Sequence, residues 1–211
     1  MSKHLLFVVV AVVATALALV MSATAARGCP VCGKNLIKNP GADAGLGVTA
    51  VGASGLVPGW TIAGGQFGAA SYTFPNGWFS ARSKGPKNRG KNYFFGGTTT
   101  EAVSAPASTG TQTISLPASA VGRKATLSGW LGNYVENRAQ VRAEFMDAAG
   151  TVLSRIRIGP AVTIAGTDMA LRSRNGKVPS GTTQVKVSVI FSGGGAAYKL
   201  AGADSLSLVL S

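Results

Sequence analysis

The chain has 211 residues, enough for one domain of ordinary size and too few for two comfortable ones. Charged residues are scarce while Gly, Ala, Ser and Thr abound, a composition that suits strands and turns and excludes a helical bundle, and a hydrophobic content of 46% excludes wholesale disorder. Twenty Lys and Arg against seven acids give a net charge of +13, which favours anionic partners and equally serves solubility through self-repulsion.

The sole histidine, His4, lies in a segment expected to be removed. A mature chain without it excludes Ser-His-Asp and Cys-His catalysis, His-ligated zinc and imidazole general-base chemistry. That segment, residues 1–26, has a positive start at Lys3 and His4, an apolar run from Leu5 to Val20, and small residues from Ser22 to Ala26. It reads as a secretory signal peptide cleaved after Ala25 or Ala26, which implies a secreted or surface-associated protein. An uncleaved anchor is the other reading, although the run falls short of the ~20 residues a bilayer needs.

Residues 27–34 form a short lead-in containing Cys29-Pro-Val-Cys32. Outside the cytoplasm a local disulfide is the default, with free or intermolecular thiols as the alternative. A redox role would need a βα junction, and zinc would need two further ligands.

From residue 35 to 211 the signals are those of a single β-sandwich. Asn35-Leu-Ile is a short strand, and Asn39-Pro-Gly is a turn in which Pro40 fixes φ and Gly41 accepts a positive one. A Gly-rich loop leads to strands at Trp60–Ile62 and Ala69–Phe74. Residues 80–92 are a basic loop carrying Arg82, Lys84, Lys87, Arg89 and Lys91, followed by a strand at Tyr93–Phe95. Residues 97–111 read as irregular and Gln112–Leu116 as a strand. Clear period-two alternation then marks 125–134, 139–146, 151–158 and 185–191, and a final strand closes the chain before Leu210. Nine to eleven short strands, each sheet buried on one face, predict a β-sandwich or jelly roll without helices.

The order of these segments resembles the carbohydrate-binding modules of the galactose-binding-like jelly-roll type, as in families 4 and 9. The resemblance is carried by Asn35-Leu-Ile-Lys-Asn-Pro-Gly-Ala-Asp43, Pro58-Gly-Trp60, Thr111-Gln-Thr-Ile-Ser-Leu116, Ala125-Thr-Leu-Ser-Gly-Trp130, Val141 through Gly150, Val178 through Val187, and Ala203-Asp-Ser-Leu-Ser-Leu208. It implies polysaccharide binding and a structural calcium held where the first strand's acid, Asp43, meets the closing strand's acid, Asp204. Asp43 is shorter than the family's usual glutamate, and Ala203 stands where a second acid is frequent. The plainer reading has Asp43 capping a turn and Asp204 making an edge hydrogen bond.

Sugar recognition stacks CH faces on aromatic rings and pairs hydroxyls with polar groups. Trp130 and Tyr134 share the polar parity of one strand, and Arg142 and Glu144 that of the next. If those strands pair, these four together with Ser128 make a ligand-binding patch; otherwise Trp130 belongs to the core or lies under a loop. Trp78, beside the basic loop, is a further ligand-binding candidate or a local plug, whereas Trp60 is expected in the core. The cations Arg82, Lys84, Lys87, Arg89 and Lys91 are either a polyanion grip or a solvated loop. Nucleic acid is not an expected partner of an exported protein. A glycosidase needs two facing carboxylates, and the positions of Glu136, Glu144 and Asp147 imply no such pair. The expectation is thus a secreted, non-catalytic carbohydrate-binding protein. The alternatives are a basic wall-associated or adhesion protein that binds acidic polymers through charge alone, and a polysaccharide hydrolase.

Overall fold

A computed structural model describes residues 28–49, 55–74, 79–97, 107–133, 136–160, 167–193 and 200–211. The expected export segment, together with Trp78 and Tyr134, lies outside the described residues. The described chain contains β1 (Thr61–Gly64), β2 (Gly68–Ser71), β3 (Asn92–Phe95), β4 (Ala107–Ser115), β5 (Lys124–Gly132), β6 (Arg138–Met146), β7 (Val152–Ile158), β8 (Met169–Lys177), β9 (Gln184–Ser192) and β10 (Gly202–Leu210). A single 3-10 turn at Ala118–Ala120 is the helical element among the described residues.

The strands form two five-stranded sheets, ordered β1-β4-β9-β6-β7 and β2-β3-β10-β5-β8, with antiparallel pairing throughout. This is the expected all-β jelly-roll sandwich. Alternation dictates the packing. Leu127 and Leu131 of β5, Val141 and Phe145 of β6, Val185, Val187, Val189 and Phe191 of β9, and Leu206, Leu208 and Leu210 of β10 are all buried between the sheets. Each such side chain contributes about 1.5–3 kcal/mol on burial, so a one-residue slip in any of these strands would forfeit the whole inner face.

Two elements depart from the sequence reading. Strand β8, Met-Ala-Leu-Arg-Ser-Arg-Asn-Gly-Lys, was not expected, because an edge strand this polar shows no hydrophobic alternation. Strand β4 begins at Ala107, inside the stretch read as irregular, because small residues there let the ring of Phe67 lie directly against Gly110.

The opening stretch meets the closing strand, as anticipated, though by a clasp instead of a full strand. Strand β3 pairs only with Gly202 and Ala203 of β10. The rest of that β10 edge is taken by residues 33–40: Leu210 O accepts from Gly33 N, Leu208 O from Leu36 N, and Pro40 O from Leu206 N, each at 2.9 Å. Asn35 stitches the join. Its Oδ1 accepts from Leu208 N (3.0 Å) and Ile37 N (3.1 Å), and its Nδ2 donates to Leu206 O (2.9 Å). The Cys29–Cys32 disulfide is formed, just upstream of this join.

The outer faces of the two sheets differ. That of β2-β3-β10-β5-β8 carries a second apolar cluster, in which Tyr72, Phe74, Phe79, Tyr93, Phe95 and Met169 are buried. The segment after β2 and the basic loop cover it. That of β1-β4-β9-β6-β7 carries Thr109, Thr111, Thr113, Gln140, Arg142, Arg155, Arg157 and Lys186, all partly or fully exposed.

Candidate functional site

On the covered face a buried carboxylate, Asp204, approaches an exposed one, Asp43. Asp204 sits on β10 at a bulge, where the register with β5 shifts between Asp204 and Ser207 and Ser205 takes a φ of 49°. The bulge aims Asp204 outward under the covering segment, where it is fully buried. Its Oδ2 accepts from the Tyr72 hydroxyl at 2.7 Å, and its Oδ1 accepts from Ser205 N. Burial pushes its carboxyl up to about 7, against the lowering hydrogen bonds of Tyr72 and Ser205 and with the negative charge of Asp43 adding to the rise. Burial and the Asp204 charge likewise raise the Tyr72 hydroxyl well above the ordinary tyrosine range.

Asp43 belongs to the opening turn. Its Oδ1 accepts from Lys91 N (2.7 Å) and Asn92 N (3.0 Å), which ties the end of the basic loop to that turn. Gly90, at φ 67°, makes this possible, because any side chain there would overlap the Asp43 carboxylate. Gly41 lies between the acids: a Cβ on it would stand 2.8 Å from Asp43 Oδ2 and 3.1 Å from Asp204 Oδ1. One oxygen of each carboxylate therefore turns toward the same point. Two like charges converging, Asp204 fully buried and Asp43 at the surface, suit a hard divalent cation, whose other oxygen ligands are commonly backbone carbonyls. Among the described residues no third acid joins them.

The basic loop is built, not loose. Arg89 donates Nη1 to Ser80 O and Nη2 to Ser83 O, both at 2.8 Å, and Nε to Pro86 O at 3.2 Å. Its guanidinium lies 5.1 Å from the centre of the Tyr72 ring. Arg89 thus holds the loop together, and its donors point into the protein, which corrects its expected place in a polyanion grip. Lys84 N donates to Asp168 Oδ1 at 2.8 Å, and Met169 N donates to Lys84 O at 2.8 Å, docking the loop on β8. The side chains of Arg82, Lys84, Lys87 and Lys91 remain exposed.

The aromatic-polar patch anticipated from the sequence is not assembled. Strand β5 pairs with β10 and β8, and β6 pairs with β7 and β9, so Trp130 and the Arg142–Glu144 pair occupy opposite outer faces. Trp130 faces outward, half-buried against the second apolar cluster, with Leu171 as its cross-strand neighbour. Trp60 packs on the main core with its ring 5.0 Å from Phe94 and 5.8 Å from Phe67, and its Nε1 donates to Asn39 O at 3.3 Å.

On the open face the register brings cations together. Glu144 lies opposite Arg155 on one side and Lys186 on the other, and Arg142 lies opposite Arg157. Glu144 is buried and accepts from Arg155 Nε at 2.8 Å, with Arg142 Nε at 3.5 Å and Lys186 Nζ at 3.8 Å. Beside it Gln140, Arg142, Arg155, Arg157 and Arg174 line a groove of about 360 Å³. Arg155 and Arg157 were legible in sequence as the polar parity of β7. Arg174 was not, because its strand went unrecognised.

No family model matches the sequence, and no curated protein matches it. Solved structures do. A tailspike protein 4 enzymatically active domain from bacteriophage CBA120 is similar at a TM-score of 0.56 and 15% identity over 84% of this chain, which spans 21% of that domain. A family 16 carbohydrate-binding module is similar at 0.52 and 16% identity, with 83% of this chain covering 99% of the module. A cyclase from Fischerella sp. TAU is similar at 0.52 and 17% identity, over 83% of this chain and 95% of the cyclase. At these identities the likeness is one of fold, and the fold this chain shares is the jelly-roll sandwich of carbohydrate-binding modules.

Proposed function

We propose that this is a secreted, non-catalytic carbohydrate-binding protein that presents the outer face of β1-β4-β9-β6-β7 to a polysaccharide. The observation that carries the reading is the contrast between the outer faces. The covered sheet is sealed by buried aromatics, whereas the other displays rows of Thr, Gln, Arg and Lys with no segment of the described chain across them. Such a platform can exchange hydrogen bonds with sugar hydroxyls along several strands at once. Similarity in fold to a carbohydrate-binding module supports it.

The carboxylates support the non-catalytic part. Asp43 and Asp204 lie close together, but Asp204 is sealed from any substrate. Glu144 is held by cations, Asp168 docks the basic loop, and Asp147 Oδ1 accepts from Thr151 N to close the β6–β7 turn. A calcium ion at Asp43 and Asp204 would serve structure, binding the opening turn to β10 and offsetting the repulsion of the two acids.

A glycan array with the full chain, at low and at physiological salt, tests the reading. Retention of particular polysaccharides at physiological salt supports it. Binding that fades equally for every acidic polymer as salt rises would leave only general charge attraction, the behaviour of a basic wall-associated protein. Turnover of any bound polysaccharide would defeat the non-catalytic assignment.

A further inference from the structure

We infer that the groove lined by Gln140, Arg142, Arg155, Arg157 and Arg174 is a binding site for the acidic groups of a polysaccharide, carboxylate or sulfate. This inference rests on the carbohydrate reading and names both the place and the substrate class. The groove lies on the seam of the sandwich, where edge strand β7 of one sheet runs against edge strand β8 of the other. Arg142 comes from β6, Arg155 and Arg157 from β7, and Arg174 from β8. The site therefore exists only in the folded sandwich and is not a run of charge along the chain.

The charges at this seam are poorly compensated. Arg142 and Arg157 stand directly opposite each other across β6 and β7, an arrangement that destabilises a sheet when the charges are alike. Among the described residues Glu144 is the one acid in contact with them, and Arg142, Arg155 and Lys186 already share it. Arg142 Nε is buried without a hydrogen-bond partner, and among the described residues neither Arg157 nor Arg174 has an ion-pair partner. A groove lined by four guanidinium groups, only two of which reach the neighbouring carboxylate, is short of anion. The cavity, at about 360 Å³, falls within the roughly 300–1,000 Å³ usual for ligand clefts. Guanidinium forks hold carboxylate and sulfate oxygens in bidentate geometry, and Gln140 adds an amide that can meet a neighbouring hydroxyl. The cations of the 80–92 loop offer no such cavity: four are exposed ends, and Arg89 is spent on loop carbonyls.

The test compares two charge-matched double variants of the full chain, Arg157→Gln/Arg174→Gln in the groove and Lys84→Gln/Lys87→Gln in the loop. Each is titrated at physiological salt with polygalacturonate, dextran sulfate, dextran and duplex DNA, while far-UV circular dichroism confirms folding. The groove variant is expected to lose at least tenfold in affinity for polygalacturonate or dextran sulfate, and the loop variant less than threefold. The polymer that responds tells carboxylate from sulfate. Equal weakening in both variants would reduce the groove to general surface charge and overturn the inference. Tighter binding of DNA than of either acidic glycan would overturn the glycan assignment. Binding of neutral polysaccharides on the glycan array without binding of an acidic one would defeat the groove and leave the carbohydrate reading intact, whereas binding of no polysaccharide at all would defeat both.

Discussion

The two outer faces of the sandwich are built from strands of similar length and opposite purpose. One is roofed: Tyr72, Phe79 and Tyr93 form an apolar layer above β3, β10 and β5, with Asp204 buried among them. The other is bare: short alcohols, amides and long cations dominate it beside a few aliphatics such as Ile190, and Glu144, its one buried acid among the described residues, is ringed by Arg142, Arg155 and Lys186. On the proposed reading, stability and ligand contact are divided between the faces. The roofed face adds a second core to a small domain, and the bare one accumulates charge.

This division makes unequal demands on mutation. Phe79→Ala should be the most damaging change, because its fully buried ring packs edge-on against Tyr93 at 5.3 Å and touches Gly132 and Gly202. A loss of about 3–5 kcal/mol in denaturant unfolding is expected, whereas Thr113→Ala on the bare face should stay within about 0.5 kcal/mol. Equal effects would erase the distinction. Gly90→Ala comes next, at more than about 1 kcal/mol, since it meets both a positive φ and the Asp43 carboxylate.

The buried acid gives the roofed face a pH signature. The Asp204 carboxyl titrates near 7 in the folded chain, against about 3.9 when unfolded. The native state then binds the extra proton between those values, so the cost of a buried charge is fully present above pH 7 and is relieved as pH falls toward 4. In chelator, the melting temperature should therefore rise as pH is lowered from 8 to 5, and Asp204→Asn should flatten the profile. Calcium at neutral pH should raise the melting temperature of the natural chain and not of Asp204→Asn, the stabilisation amounting to about 2.7 kcal/mol at a hundredfold excess over its dissociation constant. A melting temperature indifferent to calcium and chelator would dismiss the metal. Glu144→Gln should cost little, about 1 kcal/mol or less, because its partners are substantially solvent-exposed and can be rehydrated.

The sandwich was legible because alternation in β5, β6, β7 and β9 writes the inner face directly into the sequence. The meeting of Asn35–Asp43 with Asp204 was legible through likeness to a family. The open-face site was not, for a topological reason. Adjacent strands in sequence, β5 and β6, belong to different sheets, so residues close along the chain, Trp130 and Arg142, end on opposite sides. Arg142, Arg157 and Arg174, spread over three strands, meet at a seam that only the folded chain creates. Charge counting also misplaced the polyanion grip in part, since five cations in ten residues look alike until hydrogen bonds show Arg89 turned inward.

The central claim is that ligand lies on the bare face. Amide hydrogen exchange of the full chain, with and without a polysaccharide that the glycan array identifies, tests it most directly. Protection gathered in β6, β7, β8 and β9, with β2, β3 and residues 79–92 unchanged, is the predicted result. Protection centred on residues 79–92 and the strand of Trp130, with β6 and β7 unaffected, would contradict it.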